Sequence, residues 1–125
     1  MKNQKISIKS RLKSFKYAIN GLKILISDEH NSRIHLIAAI CAIILGFILN
    51  VSSMEWLVIV LVIGLVISFE IINSAIEYLA DFVSPDYHEI IKKVKDLSAA
   101  AVLVSAFVSL VVAFIIFIPK ILKLC

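Results

Sequence analysis

Glycine and proline are scarce in this chain: three glycines and two prolines among 125 residues. Gly21, Gly46 and Gly64 stand far apart, so no Gly-rich phosphate loop of the GxxxxGK[ST] type can form. So little helix-breaking residue also leaves no room for a linker, a repeat or a low-complexity tract. Cysteine is limited to Cys41, inside an apolar run, and Cys125, the last residue. Two such cysteines build neither a disulfide framework nor a cysteine-based metal cluster. Residues 50–55 contain no Lys or Arg. More than thirty polar-to-amphipathic residues precede the first apolar span, which does not resemble a signal peptide.

What the chain has in abundance is apolar surface, with 61% hydrophobic residues and a mean hydropathy of +1.00. A soluble domain is about half apolar, and the expectation is therefore a single all-α membrane domain over 1–125. Three apolar runs approach the roughly 17–25 residues a bilayer requires. They predict spans at about 34–50, 55–82 and 97–118. Ahead of them, residues 1–9 carry Lys2, Lys5 and Lys9 with little apolar pattern and are expected to be mobile. From about 10 to 30 a helical period appears. Phe15, Ile19, Leu22, Leu25 and Ile26 share one face, and Lys13, Lys16, Asn20, Lys23 and Ser27 the other. Such a basic amphipathic helix suits a lipid surface, and it equally suits packing on protein. The pI of about 9.2 does not argue for nucleic acid, because the basic residues flank apolar spans.

Eight Lys or Arg precede the first span and Lys92, Lys93 and Lys95 lie between the second and third. The positive-inside rule then puts the N-terminus and the 70–96 region in the cytoplasm; Lys120 and Lys123 fall on the other side. Asn50–Glu55 is a tight polar turn, Trp56 an interfacial aromatic, Ser84-Pro85 a helix break, and Pro119 the expected end of the third span.

The most informative stretch is Glu70-Ile-Ile-Asn73-Ser-Ala-Ile-Glu77-Tyr-Leu-Ala-Asp81. At 100° per residue, Glu70, Asn73, Glu77 and Asp81 fall within about 80° of one another. Carboxylates on a membrane helix are costly unless solvated, paired or holding a metal, which marks a functional site. The plainer alternative is a solvated helix end. Glu29 and Arg33, four apart, could simply pair, or their polar stretch could face the same membrane surface as the acidic stripe. Hard carboxylate oxygens suit Mg²⁺, Lys95 could hold a transferring phosphoryl group, and Glu70 could take a proton from an attacking hydroxyl. These are the parts of phosphoryl transfer. A rival reading is an oligomeric channel or transporter subunit with Glu70, Glu77 and Asp81 along a cation path. Against it, the acids sit at one membrane face and the spans lack inverted-repeat symmetry.

Glu70-x-x-Asn73-Ser74-Ala75-Ile76-Glu77, followed by Asp81, Asp86-Tyr87-His88, Lys95-Asp96 and Ala99-Ala100-Ala101-Val102, resembles the bacterial diacylglycerol kinase family of small membrane diacylglycerol and undecaprenol kinases. The likeness runs from Gly21-Leu22-Lys23 through Glu29 and Arg33 to the third span. The resemblance implies a multi-pass homotrimer in the bacterial cell membrane, with an N-terminal surface helix and shared sites on the cytoplasmic side. It implies ATP-dependent phosphorylation of a membrane lipid alcohol, with Glu70 as general base and Glu29 and Glu77 holding Mg²⁺. It further implies that Tyr17, Asp86, Tyr87, His88, Lys95 and Asp96 line the MgATP site, supported by Asn73. The family's early Arg is displaced: position 10 is Ser and Arg11 follows, so that role passes to Arg11. Asn31-Ser-Arg33-Ile-His35 and Val83-Ser-Pro85-Asp86 resemble the undecaprenol-kinase branch more than the diacylglycerol branch.

Overall fold

The computed structural model describes residues 7–125. Lys2 and Lys5 lie outside the described residues. Four helices follow in order: α1 Ile8–Asp28, α2 His30–Ile48, α3 Ser53–Val83 and α4 Glu89–Leu124. The last three are long and apolar enough to cross a membrane. α3, at 31 residues, is about 46 Å long at 1.5 Å per residue. It outruns the roughly 30 Å hydrocarbon layer, so its acidic half extends beyond the apolar one.

Local chemistry explains the boundaries. α1 starts at Ile8, earlier than the pattern suggests, because Ser7 Oγ accepts from Ser10 N–H at 3.1 Å. Lys9 therefore belongs to a helix and not to a mobile lead. α2 ends where Asn50 takes a left-handed conformation, φ 51°. Val51 N–H there donates to the Gly46 carbonyl at 3.1 Å, a six-to-one closure that asparagine tolerates. Ser52 and Glu55 then open α3 with a reciprocal capping box, at 3.2 and 2.9 Å. Close approach requires Gly46: a Cβ there would lie 2.6 Å from the Trp56 ring. Phe47 also packs on Trp56, centroids 4.8 Å apart.

Two expectations fail in α4. The helix does not begin near 97, where the third span was expected to start: residues 89–96 are its first two turns. The His88 ring accepts from Ile90 N–H at 3.1 Å and caps the start, and Ile90, Ile91, Val94 and Leu97 carry a helical period through the charges. Nor does Pro119 end the helix, which runs on to Leu124. A proline removes one N–H and crowds the carbonyl four residues back, but only the last turns follow. Lys120, paired with Glu55 at 3.1 Å, ties them back to α3.

α3 packs mainly against α4. Val51, Ile59, Ile116 and Phe117 form the small buried core near the α2–α3 turn. Elsewhere the apolar faces are bare: Leu61 is 70% exposed, Leu103 71% and Phe107 65%. A single chain thus leaves most of its hydrophobic surface to lipid or to other subunits.

Candidate active site

The site forms at the end of the bundle opposite that core, between α2, α3 and α4 and beside the end of α1. Glu29 is the hinge between α1 and α2, extended at φ −108° and ψ 109°, with its N–H on the Leu25 carbonyl at 3.1 Å. Arg33 does not pair with Glu29. Its Nε and Nη2 each donate at 2.6 Å, to the carbonyls of Ile26 and Ser27. Those carbonyls are orphans of the last α1 turn, and the guanidinium fork satisfies two of them. The Tyr78 hydroxyl on α3 donates to the Asp28 carboxylate. That bond, with a second from Ser27, holds the Asp28 carboxyl below the usual carboxylate range.

On α3, Glu70 is buried at 4% exposure and both its oxygens face α2. Ser32 Oγ donates to Oε2 at 3.0 Å. His35 Nδ1 lies 2.5 Å from Oε1, at ion-pair distance without hydrogen-bond alignment. One turn on, Asn73 Oδ1 accepts from Ser98 Oγ of α4 at 2.7 Å, which locks that amide between helices. Asp81 pairs with Lys95 across α3 and α4. The stripe thus divides into a buried end at Glu70 and an exposed, charge-paired end at Asp81.

A cavity of about 560 Å³ collects Glu29, Asn31, His35, Glu70, Asn73, Glu77 and Asp96, with Ala99 and Ala100 forming a small-residue wall. The Glu29 carboxyl is held above its ordinary value, first by burial and then by the charge of Glu77, with Glu70 and Asp28 adding to it. The nearby Ser74 hydroxyl offsets this only in part. Below it lies a second, apolar cavity of about 290 Å³ between α2, α3 and α4, lined by alanines, valines and isoleucines. His35 and Ala106 border both cavities.

The chain matches the family model of prokaryotic diacylglycerol kinase over residues 16–117. It belongs to that family. Among relatives it is 38% identical to undecaprenol kinase of Bacillus subtilis over 108 residues, 86% of this chain and 88% of that protein. It is 30% identical to diacylglycerol kinase of Escherichia coli over 100 residues, 80% of this chain and 82% of that one. Diacylglycerol kinase of Synechocystis is 32% identical over 114 residues, 90% of this chain and 65% of that protein. The chain is a multi-pass membrane lipid kinase that phosphorylates a lipid alcohol.

Within this kinase, Glu29, Glu70, Asn73, Glu77 and Asp96 converge as expected. The remaining expected residues do not border the cavity. Tyr17 is 70% exposed on α1, and Arg11 lies further toward its start. Asp86 and Tyr87 stand in the α3–α4 turn, His88 caps α4, and Lys95 is turned to Asp81. Four residues not named singly as site residues join the converging set: Ser98, and Asn31, Ser32 and His35 of the polar stretch expected to face the acidic stripe. A usable signal was present in Asn31-Ser32-x-x-His35, polar residues one turn apart at the mouth of an apolar span.

Proposed function

We propose that this lipid kinase transfers the γ-phosphoryl group of ATP to undecaprenol, with Glu70 as the general base. The observation that carries the base assignment is the setting of Glu70: a buried carboxylate oriented from α2, on the wall of an acid-rich cavity that shares His35 and Ala106 with an apolar one. As the lipid hydroxyl oxygen bonds to the γ-phosphorus, its proton passes to Glu70. The bond to the β,γ-bridging oxygen breaks, and that oxygen leaves on ADP with the electron pair.

Glu29 and Glu77 are the proposed Mg²⁺ ligands. Among the described residues there is no cluster of three or more His, Cys, Asp or Glu built to enclose a metal. A pair of hard carboxylates short of positive charge fits an ion that takes its other ligands from phosphates and water. Bound there, Mg²⁺ would neutralise charge on the ATP phosphates. Lys95 and Asp96, with Asp86, Tyr87, His88, Tyr17 and Arg11, are proposed to surround the nucleotide. Asp96 borders the cavity already; Lys95 would exchange Asp81 for phosphate.

The basic flanks of α1 and of 92–95 support a cytoplasmic site, with α1 lying on the lipid surface. The bare apolar faces support assembly, for which we propose a homotrimer. Undecaprenol is favoured over diacylglycerol by the greater identity and fuller coverage of the undecaprenol kinase. Detergent-purified protein given radiolabelled ATP and either lipid tests both points. Label appearing in undecaprenyl phosphate supports the assignment; label only in phosphatidic acid replaces undecaprenol by diacylglycerol.

A further inference from the structure

Glu70 meets two groups of α2 and none of its own helix neighbours. Ser32, itself 6% exposed, donates to Oε2, and His35 abuts Oε1. Ser32 and His35 are three residues apart, one helical turn, so both reach the same carboxylate from one face of α2. A glutamate side chain has three rotatable bonds, and contacts at both oxygens remove that freedom. Burying the carboxylate is tolerable only with such partners.

The contact at Oε1 differs from that at Oε2. Glu70 Oε1 and His35 Nδ1 are both buried and 2.5 Å apart, and neither has another polar partner. Buried polar atoms that rely on one contact alone are rare and call for a reason. Oε1 meets only the His35 ring, and His35, at the border of the two cavities, fixes where that oxygen points.

We infer that His35, together with Ser32, is a positioning residue for Glu70: from the border of the two cavities it holds the carboxylate in the wall of the polar one, oriented for the proton of the lipid hydroxyl. This rests on Glu70 being the general base. It predicts that His35 acts on turnover only through Glu70, and leaves nucleotide binding alone.

The test uses full-length protein in detergent with radiolabelled ATP and lipid alcohol, alongside MgATP titration of each variant. His35→Ala is expected to lower kcat by about 10²-fold, the loss associated with a reacting group misplaced by an ångström, with KM for MgATP changed by less than about twofold. His35→Gln, which restores a polar group near Oε1, should recover about tenfold of that loss. Ser32→Ala should lower kcat in the same direction and guards against a His35 variant that fails to fold. The double variant Glu70→Gln/His35→Ala should be no slower than Glu70→Gln alone, because one residue acts through the other. Losses that multiply in the double variant overturn the inference, as does full turnover in His35→Ala or equal loss in the Ala and Gln variants. If Glu70→Gln itself keeps full kcat, the base assignment falls and this inference falls with it. If Glu70→Gln is slow but His35→Ala is not, only the positioning role is lost.

Discussion

Replacing Arg33 distinguishes two accounts of the α1–α2 hinge. A four-residue spacing to Glu29 suggests a surface ion pair, worth a few tenths of a kcal/mol. The structure instead spends both guanidinium donors on the Ile26 and Ser27 carbonyls, each at 2.6 Å. Hydrogen bonds from a charged donor contribute about 1.5–3 kcal/mol each where water is excluded. These are exposed, so water recovers much of that, and we take about 1–3 kcal/mol for the two together. Arg33→Ala should then shift the equilibrium between docked and frayed α1 about 5–150-fold toward fraying. Amide hydrogen exchange in detergent reads this directly, at the N–H of Glu29 on Leu25 and the last amides of α1. Arg33→Lys is the deciding variant. A lysine preserves charge but offers a point donor in place of the planar fork. Carbonyl capping predicts that Lys leaves the hinge frayed and the Mg²⁺ requirement raised through a mobile Glu29. Arg33→Lys matching the parent in exchange and kinetics, or Arg33→Ala leaving residues 25–29 as protected as before, would refute the capping account.

Glu77→Gln and Glu29→Gln should each raise the Mg²⁺ concentration needed for half-maximal rate, read from kinetics at several Mg²⁺ levels; an unchanged requirement removes the metal assignment. Lys95→Ala breaks the pair with Asp81, but that pair is exposed, so stability should move by less than about 1 kcal/mol while KM for MgATP rises. Gly46→Ala puts a Cβ 2.6 Å from the Trp56 ring and should destabilise by about 1–3 kcal/mol in thermal unfolding. Gly21→Ala, with open space around it, should stabilise by about 0.5–1 kcal/mol. Ala100→Leu intrudes on the cavity wall and should reduce turnover more than Val111→Leu, which lies far from it; equal activity in the two would argue that the small-residue wall is dispensable.

Composition and periodicity alone determined that this is an all-helical chain with three membrane-length apolar helices, because helix face and bilayer length are one-dimensional properties. They also determined the acidic stripe, since residues 70, 73, 77 and 81 share a helix face whatever the rest of the chain does. The pairing of that stripe was another matter. Which member would be buried and which exposed depends on the helix opposite each, and only packing brought Ser32 and His35 to Glu70, Ser98 to Asn73 and Lys95 to Asp81. Local spacing misled in three places for the same reason. Arg33 had a nearer partner in sequence but better acceptors at the end of α1. Pro119 reads as a stop until the tie between Lys120 and Glu55 is seen. The lysine-rich start of α4 reads as a short polar segment ahead of the 97–118 span until its cap and its apolar side are placed. Contacts between helices are set by where their axes cross, and a single helix carries no record of that crossing.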